Sequence, residues 1–491
     1  MPSAPEPTAV PLPAGFVFGT ATAAYQIEGA TDAGGRGRSI WDTFSHTPGK
    51  TVNGDTGDIA CRHYELVEND LDLMAELGAG AYRFSVSWPR IQSTGKGPAS
   101  VEGLDFYRRL VAGLRAREIR PMVTLYHWDL PQPLEDAGGW AERDTVSRFA
   151  EFAAVVAEAL GPDVDKWITL NEPWCSAWLG YGSGHHAPGK QDIGLALAAH
   201  HHLLVAHGEA TAAIRAAVPG ANVGISLNLQ PVRPATDHPD DVAAARRVDG
   251  NHNRIYTGPL FGAAYPADMV EHYRSYRPGL RVIRDGDLAT IARPIDFIGI
   301  NYYSPATVAD ESRAAAAASA GYGVPPVSRR DDPLMADLRA VGVDRPAFER
   351  TEMGWEVEPD GLTELLLRVH DDSRGTPAFV TENGAACSDY VGPGGVIQDA
   401  ARIRYLDGHI RAVLRAREQG ATVEGYFVWS LLDNFEWAFG YSRRFGLVWV
   451  DYPSGARIAK NSFRWYQQAL ARGALLPVDD ALAAASAASR A

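Results

Sequence analysis

Two glutamates occupy unusual places in this chain. Glu172 stands in Thr169-Leu-Asn-Glu-Pro, and Glu382 stands in Val380-Thr-Glu-Asn-Gly. Each closes a short β-prone run, Lys166-Trp-Ile-Thr-Leu in the first case and Ala378-Phe-Val-Thr in the second. A lone carboxylate at a strand end is ordinarily a solvated loop residue or half of an ion pair. Two of them at matching strand ends are the minimum equipment for glycoside hydrolysis. One protonates the leaving oxygen, and the other attacks the anomeric carbon or activates water. Such a pair works only if its surroundings hold the two groups in different protonation states. Glu172 is expected to keep its proton until it acts. Glu382 is expected to be ionised, with Arg83 as the cation that holds it so.

The elements that must bring these groups together can be read from the pattern. Eight runs share one design, an apolar β-prone stretch that ends in polar or aromatic residues. They start at Phe16, Ala81, Pro121, Lys166, Asn222, Asp296, Ala378 and Val423. Between them lie stripes at i, i+3, i+4 spacing: Val67, Leu71 and Met74; Leu104, Tyr107, Leu110, Val111 and Leu114; Phe149, Phe152 and Val156; Ile403, Leu406, Ile410 and Val413. Strands alternating with helices imply parallel pairing through crossovers. Eight units predict a single α/β domain, a closed (β/α)₈ TIM barrel with long βα-loop insertions, spanning 14–475. One candidate insertion is the Ala/Gly-rich region from about 305 to 355. Residues 1–13 read as a disordered Pro-rich leader and 476–491 as an Ala-rich tail. In such barrels the chemistry gathers at the C-terminal strand ends. Gln26, Arg83, His127, Trp128, Asn171, Glu172, Asn301 to Tyr303, Glu382 and Trp429 are therefore expected to converge on one mouth.

These stretches resemble the signatures of glycoside hydrolase family 1, the β-glucosidase family. Beyond the two glutamate motifs, Phe18-Gly-Thr-Ala-Thr-Ala-Ala-Tyr-Gln-Ile-Glu-Gly-Ala is similar to the family's N-terminal signature. Tyr82-Arg-Phe-Ser-Val-Ser-Trp-Pro-Arg, Leu125-Tyr-His-Trp-Asp-Leu-Pro, Ile300-Asn-Tyr-Tyr-Ser, Trp429-Ser-Leu-Leu-Asp-Asn-Phe-Glu-Trp and Arg444-Phe-Gly-Leu-Val-Trp-Val-Asp come in the family's order. The resemblance implies a retaining β-glucosidase that releases terminal β-D-glucosyl residues and tolerates galactosides and fucosides. Glu172 is then the general acid/base and Glu382 the nucleophile, with their carboxyls about 5–5.5 Å apart. Arg83 and Tyr303 would position the nucleophile, and Asn171 would bond the sugar 2-hydroxyl. Gln26, His127, Glu436 and Trp437 would hold the glycone, with Trp429 offering a face to the ring. Trp355 would be the aglycone platform. Trp128, Asn301 and Phe445 complete the implied substrate-binding set, and Cys175 and Trp178 are placed at the outer subsite. Glu436 would repel a 6-phosphate, so an unphosphorylated sugar is favoured. The expected substrates are small β-glucosides or cello-oligosaccharides, with no metal and no cofactor.

The totals limit the alternatives. With 46 basic and 60 acidic side chains the net charge is -14, which argues against a nucleic-acid or anionic-membrane partner. No run approaches the roughly 18 apolar residues of a membrane span. Three cysteines, Cys61, Cys175 and Cys387, are too few and too scattered for a disulfide framework or a Cys-based zinc site. With the absence of a secretory-type leader they point to a cytoplasmic setting. His200, His201, His202 and His207 fall on a predicted helix outside the barrel and read as structural or solvated rather than as metal ligands. A Schiff-base aldolase would need a strand-end lysine, but Lys166 begins its strand. A thioglucosidase of the same family would resemble this chain with Gln at the acid/base position, and Glu172 stands there. A β-galactosidase-preferring or transglycosylating enzyme, or a sugar-binding protein without catalysis, would carry much the same pocket.

Overall fold

The computed structural model describes residues 9–323, 332–480 and 482. All eight predicted runs form strands: β1 Val17–Ala21, β2 Ala81–Ser85, β3 Arg120–Tyr126, β4 Lys166–Asn171, β5 Val223–Asn228, β6 Phe297–Asn301, β7 Ala378–Asn383 and β8 Val423–Trp429. Each pairs in parallel with its neighbour in sequence, and β8 returns to β1 through Gly425 opposite Val17, which closes the barrel. Large side chains fill the interior, with the Phe297 and Phe379 rings edge to face at 5.4 Å. Room for them comes from glycines on adjacent strands. A Cβ at Gly425 would lie 2.6 Å from the Phe379 ring, and one at Gly19 would lie 2.6 Å from the Phe427 ring. Lys166 caps the N-terminal end, its Nζ 5.1 Å from the centre of the Phe379 ring, far from the mouth a Schiff-base lysine would need.

The helical stripes seal the outside of the barrel. In α1 (His63–Leu77) Val67, Leu71 and Met74 are buried, and in α3 (Asp144–Leu160) Phe149, Phe152 and Val156 are buried. In α2 (Val101–Ala116) Phe106 takes the core place expected of Leu104, which is only half-buried. The Ser100 hydroxyl caps α2 by accepting from the Gly103 amide at 3.1 Å. Helix α4 (Ile193–Ala217) carries the four histidines, and all four are buried rather than solvated. His207 Nδ1 meets Thr169 Oγ1 at 2.7 Å, His201 Nε2 meets Asp287 at 2.8 Å, and His202 Nδ1 meets the Trp140 carbonyl at 2.9 Å. His200 packs edge-on against Tyr256. Their hydrogen bonds tie α4 to the barrel wall and its loops, which is a structural role.

The expected insertion is an ordered excursion at both ends. Ala306–Asp310 pairs with Val232–Pro234 from the loop after β5 and with Ala340–Gly342, giving a three-stranded sheet beside the barrel mouth. Of the expected leader, residues 1–8 lie outside the described residues. Val10 and Pro11 pair with Leu475 and Ala474, so the folded body begins before the predicted boundary at 14. Most of the expected tail, residue 481 and residues 483–491, also lies outside the described residues. Among the described residues no helix is long and apolar enough to cross a membrane.

Candidate active site

The C-terminal strand ends open into a cavity of about 660 Å³ lined by both glutamates, His127, Trp128, Asn301, Tyr303, Trp355, Trp429, Glu436, Trp437 and Phe445. Gln26, Arg83 and Asn171 lie just behind this lining, fully buried. Three residues of the site adopt a strained backbone. Glu172, Trp128 and Trp437 have φ of 45°, 80° and 50°, a left-handed conformation that costs a non-glycine residue free energy.

The two glutamates are held differently. Glu382 Oε1 accepts from Arg83 Nη1, and Glu382 Oε2 accepts from the Tyr303 hydroxyl at 2.7 Å. A buried guanidinium and a phenol thus both donate to this one carboxyl group. Glu172 has no cation against it. Its Oε1 accepts from Asn301 Nδ2 at 2.7 Å and its Oε2 from the Cys175 thiol at 3.2 Å. Burial first, then repulsion from Glu382, pushes Glu172 up to about 8, against the opposing pull of Asn301, Cys175 and Arg83. At neutral pH Glu172 therefore carries its proton. A short polar bridge joins the two acids. Asn171 Oδ1 accepts from Arg83 Nη2 at 2.5 Å and from Asn301 Nδ2 at 2.9 Å, so Arg83 and Asn301 converge on one oxygen.

The remaining polar groups in and behind this lining have hydrogen-bonding capacity to spare. Asn171 Nδ2 donates one hydrogen to His127 Nε2 at 3.0 Å and keeps the other. Burial drives His127 well below the ordinary histidine range, so its ring is neutral and the proton sits on Nδ1, which has no protein partner. Gln26 spends both amide hydrogens on Asn434 and the Phe435 carbonyl and leaves Oε1 unpartnered. Glu436 Oε2 is also buried without a partner. Burial, then repulsion by Glu382 and Glu172, raises Glu436 to about 8. Asp433 anchors the loop that carries Glu436, Trp437 and Phe445, bonding Arg444 and Lys460 at 2.6 Å each. Trp437 is wedged among Trp128 at 4.4 Å, Trp41 at 4.6 Å and the stacked Tyr25 ring. On the far side Tyr303, Trp355 and Phe445 form a second aromatic wall.

One expectation, Trp178 at the outer cavity, changes, and two others gain detail. Asn301 lines the cavity, but both its amide hydrogens go to protein acceptors and its Oδ1 accepts from Thr381 at 2.7 Å, so it orients Glu172 rather than offering a hydrogen to a ligand. Trp178 does not reach the outer cavity. It is fully buried and packs against Tyr273, because the wide helical turn Cys175–Gly182 rotates it away. Cys175 does line the cavity, but its thiol is engaged with Glu172. Two residues outside the expected set also stand at the mouth. Asn228 ends β5, where the strand-end rule reaches it. His186, from a loop beyond β4, carries no sequence signal and packs on Trp128 at 5.2 Å.

Known proteins share this architecture over nearly the whole chain. The family model described as Glycosyl hydrolase family 1 matches residues 8–473. A bifunctional β-D-glucosidase/β-D-fucosidase of Bifidobacterium breve is 48% identical over 473 residues, covering 94% of this chain and 98% of the relative. A 1,4-β-D-glucan glucohydrolase of Thermotoga neapolitana is 43% identical, covering 94% of this chain and 99% of the relative. Among solved structures, the family 1 β-glucosidase of Thermotoga maritima in complex with isofagomine lactam superposes with a TM-score of 0.86 at 42% identity, over 95% of this chain and all of that one. By its barrel, its strand-end acids and this full-length similarity, the chain belongs to glycosyl hydrolase family 1.

Proposed function

We propose that the protein is a retaining β-glucosidase in which Glu382 is the nucleophile and Glu172 the acid/base. The observation that carries this reading is the contrast between the two acids in one cavity, one paired with Arg83 and Tyr303, the other buried with its proton. In the first step a Glu382 oxygen bonds to the anomeric carbon while the bond to the leaving oxygen breaks and takes the Glu172 proton. In the second step Glu172, now a base, removes a proton from water, which displaces Glu382 and releases the sugar with its β configuration restored. The spare Asn171 hydrogen, His127 Nδ1, Gln26 Oε1 and Glu436 Oε2 offer the donors and acceptors that ring hydroxyls require. Trp429 supplies the apolar face, with Trp128 and Trp437 closing the glycone end and Trp355 and Phe445 walling the exit toward the aglycone.

The glycone tolerance rests on the same set. The Bifidobacterium relative is named for both glucoside and fucoside hydrolysis, which supports acceptance of a 6-deoxy sugar here, and the Thermotoga neapolitana relative supports cello-oligosaccharides among the substrates. A 6-phosphate would meet the Glu436 carboxyl. Three unpaired thiols fit a cytoplasmic setting. A panel of nitrophenyl glycosides, α and β, with gluco, galacto, fuco and manno configurations tests anomer and sugar together. Turnover is expected for β-glucosides and β-fucosides, and preferential cleavage of α-glycosides would overturn the assignment.

Two further expectations belong to this reading. Because Glu172 acts in its protonated form, kcat/KM should fall as pH rises through about 8, measured on a β-glucoside with a poor leaving group. Tyr303→Phe removes one charge-assisted hydrogen bond to Glu382 and is expected to lower kcat about 10- to 100-fold with little change in melting temperature.

A further inference from the structure

We infer that Cys175 is a positioning residue for the acid/base, its thiol donating to Glu172 in a direction set by Asn228. The inference rests on the reading of Glu172 as the proton donor. Cys175 lies one helical turn after Glu172 and is buried, with Sγ 3.2 Å from Glu172 Oε2. Behind the sulfur, Asn228 Nδ2 donates to Sγ at 3.6 Å. An amide nitrogen only donates, so the sulfur is the acceptor in that contact and its own hydrogen is left for Glu172. Asn301 Nδ2 takes the other carboxyl oxygen. Once Glu172 has given up its proton, the carboxylate is received by a donor on each oxygen, and neither donor comes from a cation.

The thiol stays protonated to do this, because burial and the neighbouring Glu172 and Glu382 push it well above the ordinary thiol range. The other charged and titratable groups acting on Glu172 are Glu382 on β7, Arg83 on β2, and Tyr303 and Glu436 from the loops after β6 and β8. His127 reaches it only through Asn171 and Asn301. An S–H donor favours the ionised acid, so it eases proton release and lowers the pH at which the acid is lost. This is a tuning of the acid that neither aromatic wall nor the Arg83 pair supplies.

The test is the alkaline limb of kcat/KM for a β-glucoside with a poor leaving group. In Cys175→Ala the limb is expected to move up by about half to one pH unit. Activity at neutral pH should fall more for that substrate than for a dinitrophenyl glucoside. Cys175→Ser keeps a donor, and its limb should stay at or below the native position. Cys175→Val fills the thiol's volume without its hydrogen and repeats the measurement if the alanine variant is unstable. An unmoved limb in the variants lacking a donor, or the same rise in Cys175→Ser, would overturn the inference. Glu172→Ala run in parallel separates the two layers. If it keeps the native alkaline limb, Glu172 is not the acid. If it loses that limb while Cys175→Ala leaves it in place, only the role of the thiol fails.

Discussion

Glu382→Ala is expected to lower turnover of an aryl β-glucoside by on the order of 10⁴-fold or more. The size of the loss reflects the contacts removed. Both donors that organise this part of the cavity, Arg83 Nη1 and the Tyr303 hydroxyl, end on the Glu382 carboxylate. Without it no oxygen stands ready at the anomeric carbon, and the covalent step has no nucleophile. The same change leaves Arg83 buried with only the neutral acceptors Asn171 Oδ1 and the Thr381 carbonyl, and breaking a buried pair costs about 3–5 kcal/mol of stability. A loss of activity in the alanine variant could then be mistaken for a loss of folding. Glu382→Gln removes the nucleophile yet keeps an amide oxygen for Arg83, so it should be equally inactive while melting close to the native protein. A second readout distinguishes chemistry from structure. In Glu382→Ala the vacated space admits a small anion such as azide, which would attack the same face and give an α-linked product. Turnover restored by azide with a β-linked product, or native turnover without it, would show that Glu382 is not the nucleophile.

Much of this site was legible because strand ends are a one-dimensional signal. A run such as Lys166-Trp-Ile-Thr-Leu alternates with nothing and reads as a strand buried on both faces, and the residues just past its C-terminal end must sit at the rim. That rule places His127, Asn171, Glu172, Glu382 and Trp429 without any knowledge of loops, whereas Arg83 sits mid-strand in β2 and reaches the site through its long side chain. It fails where position depends on local rotation. Cys175 and Trp178 lie three residues apart in one segment, yet the wide turn through Cys175–Gly182 sends one to the carboxyl of Glu172 and the other to Tyr273. No propensity encodes that turn. Asn301 shows a second limit. Its residue type suits a sugar hydroxyl as well as a carboxylate, and only the hydrogen-bond inventory reveals that its hydrogens are spent. The sheet beside the mouth is a third case. Val232–Pro234 and Ala340–Gly342 meet on the two edges of Ala306–Asp310, and each is too short to carry a period.

Glu172→Ala should give a loss that depends on the leaving group, and that dependence is more diagnostic than its size. A dinitrophenolate leaves without a proton, so formation of the glycosyl-enzyme should be nearly native with a dinitrophenyl glucoside. An alkyl glucoside or a cello-oligosaccharide needs its oxygen protonated and should lose about 10²- to 10⁴-fold. The second step suffers with either substrate, since the same residue deprotonates the attacking water. With the good leaving group the glycosyl-enzyme should therefore accumulate, visible as a burst of phenolate and then slow turnover at a depressed KM. Azide, which needs no base, should relieve that slow step and give a β-linked product, the opposite anomer from the one expected with Glu382→Ala. The opposition arises because Glu172 and Glu382 act on opposite faces of the same ring. An equal loss for good and poor leaving groups, with no burst, would mean that Glu172 shapes the cavity without transferring a proton. Its raised proton affinity, maintained by burial and by Glu382 across the cavity, would then be a by-product of packing.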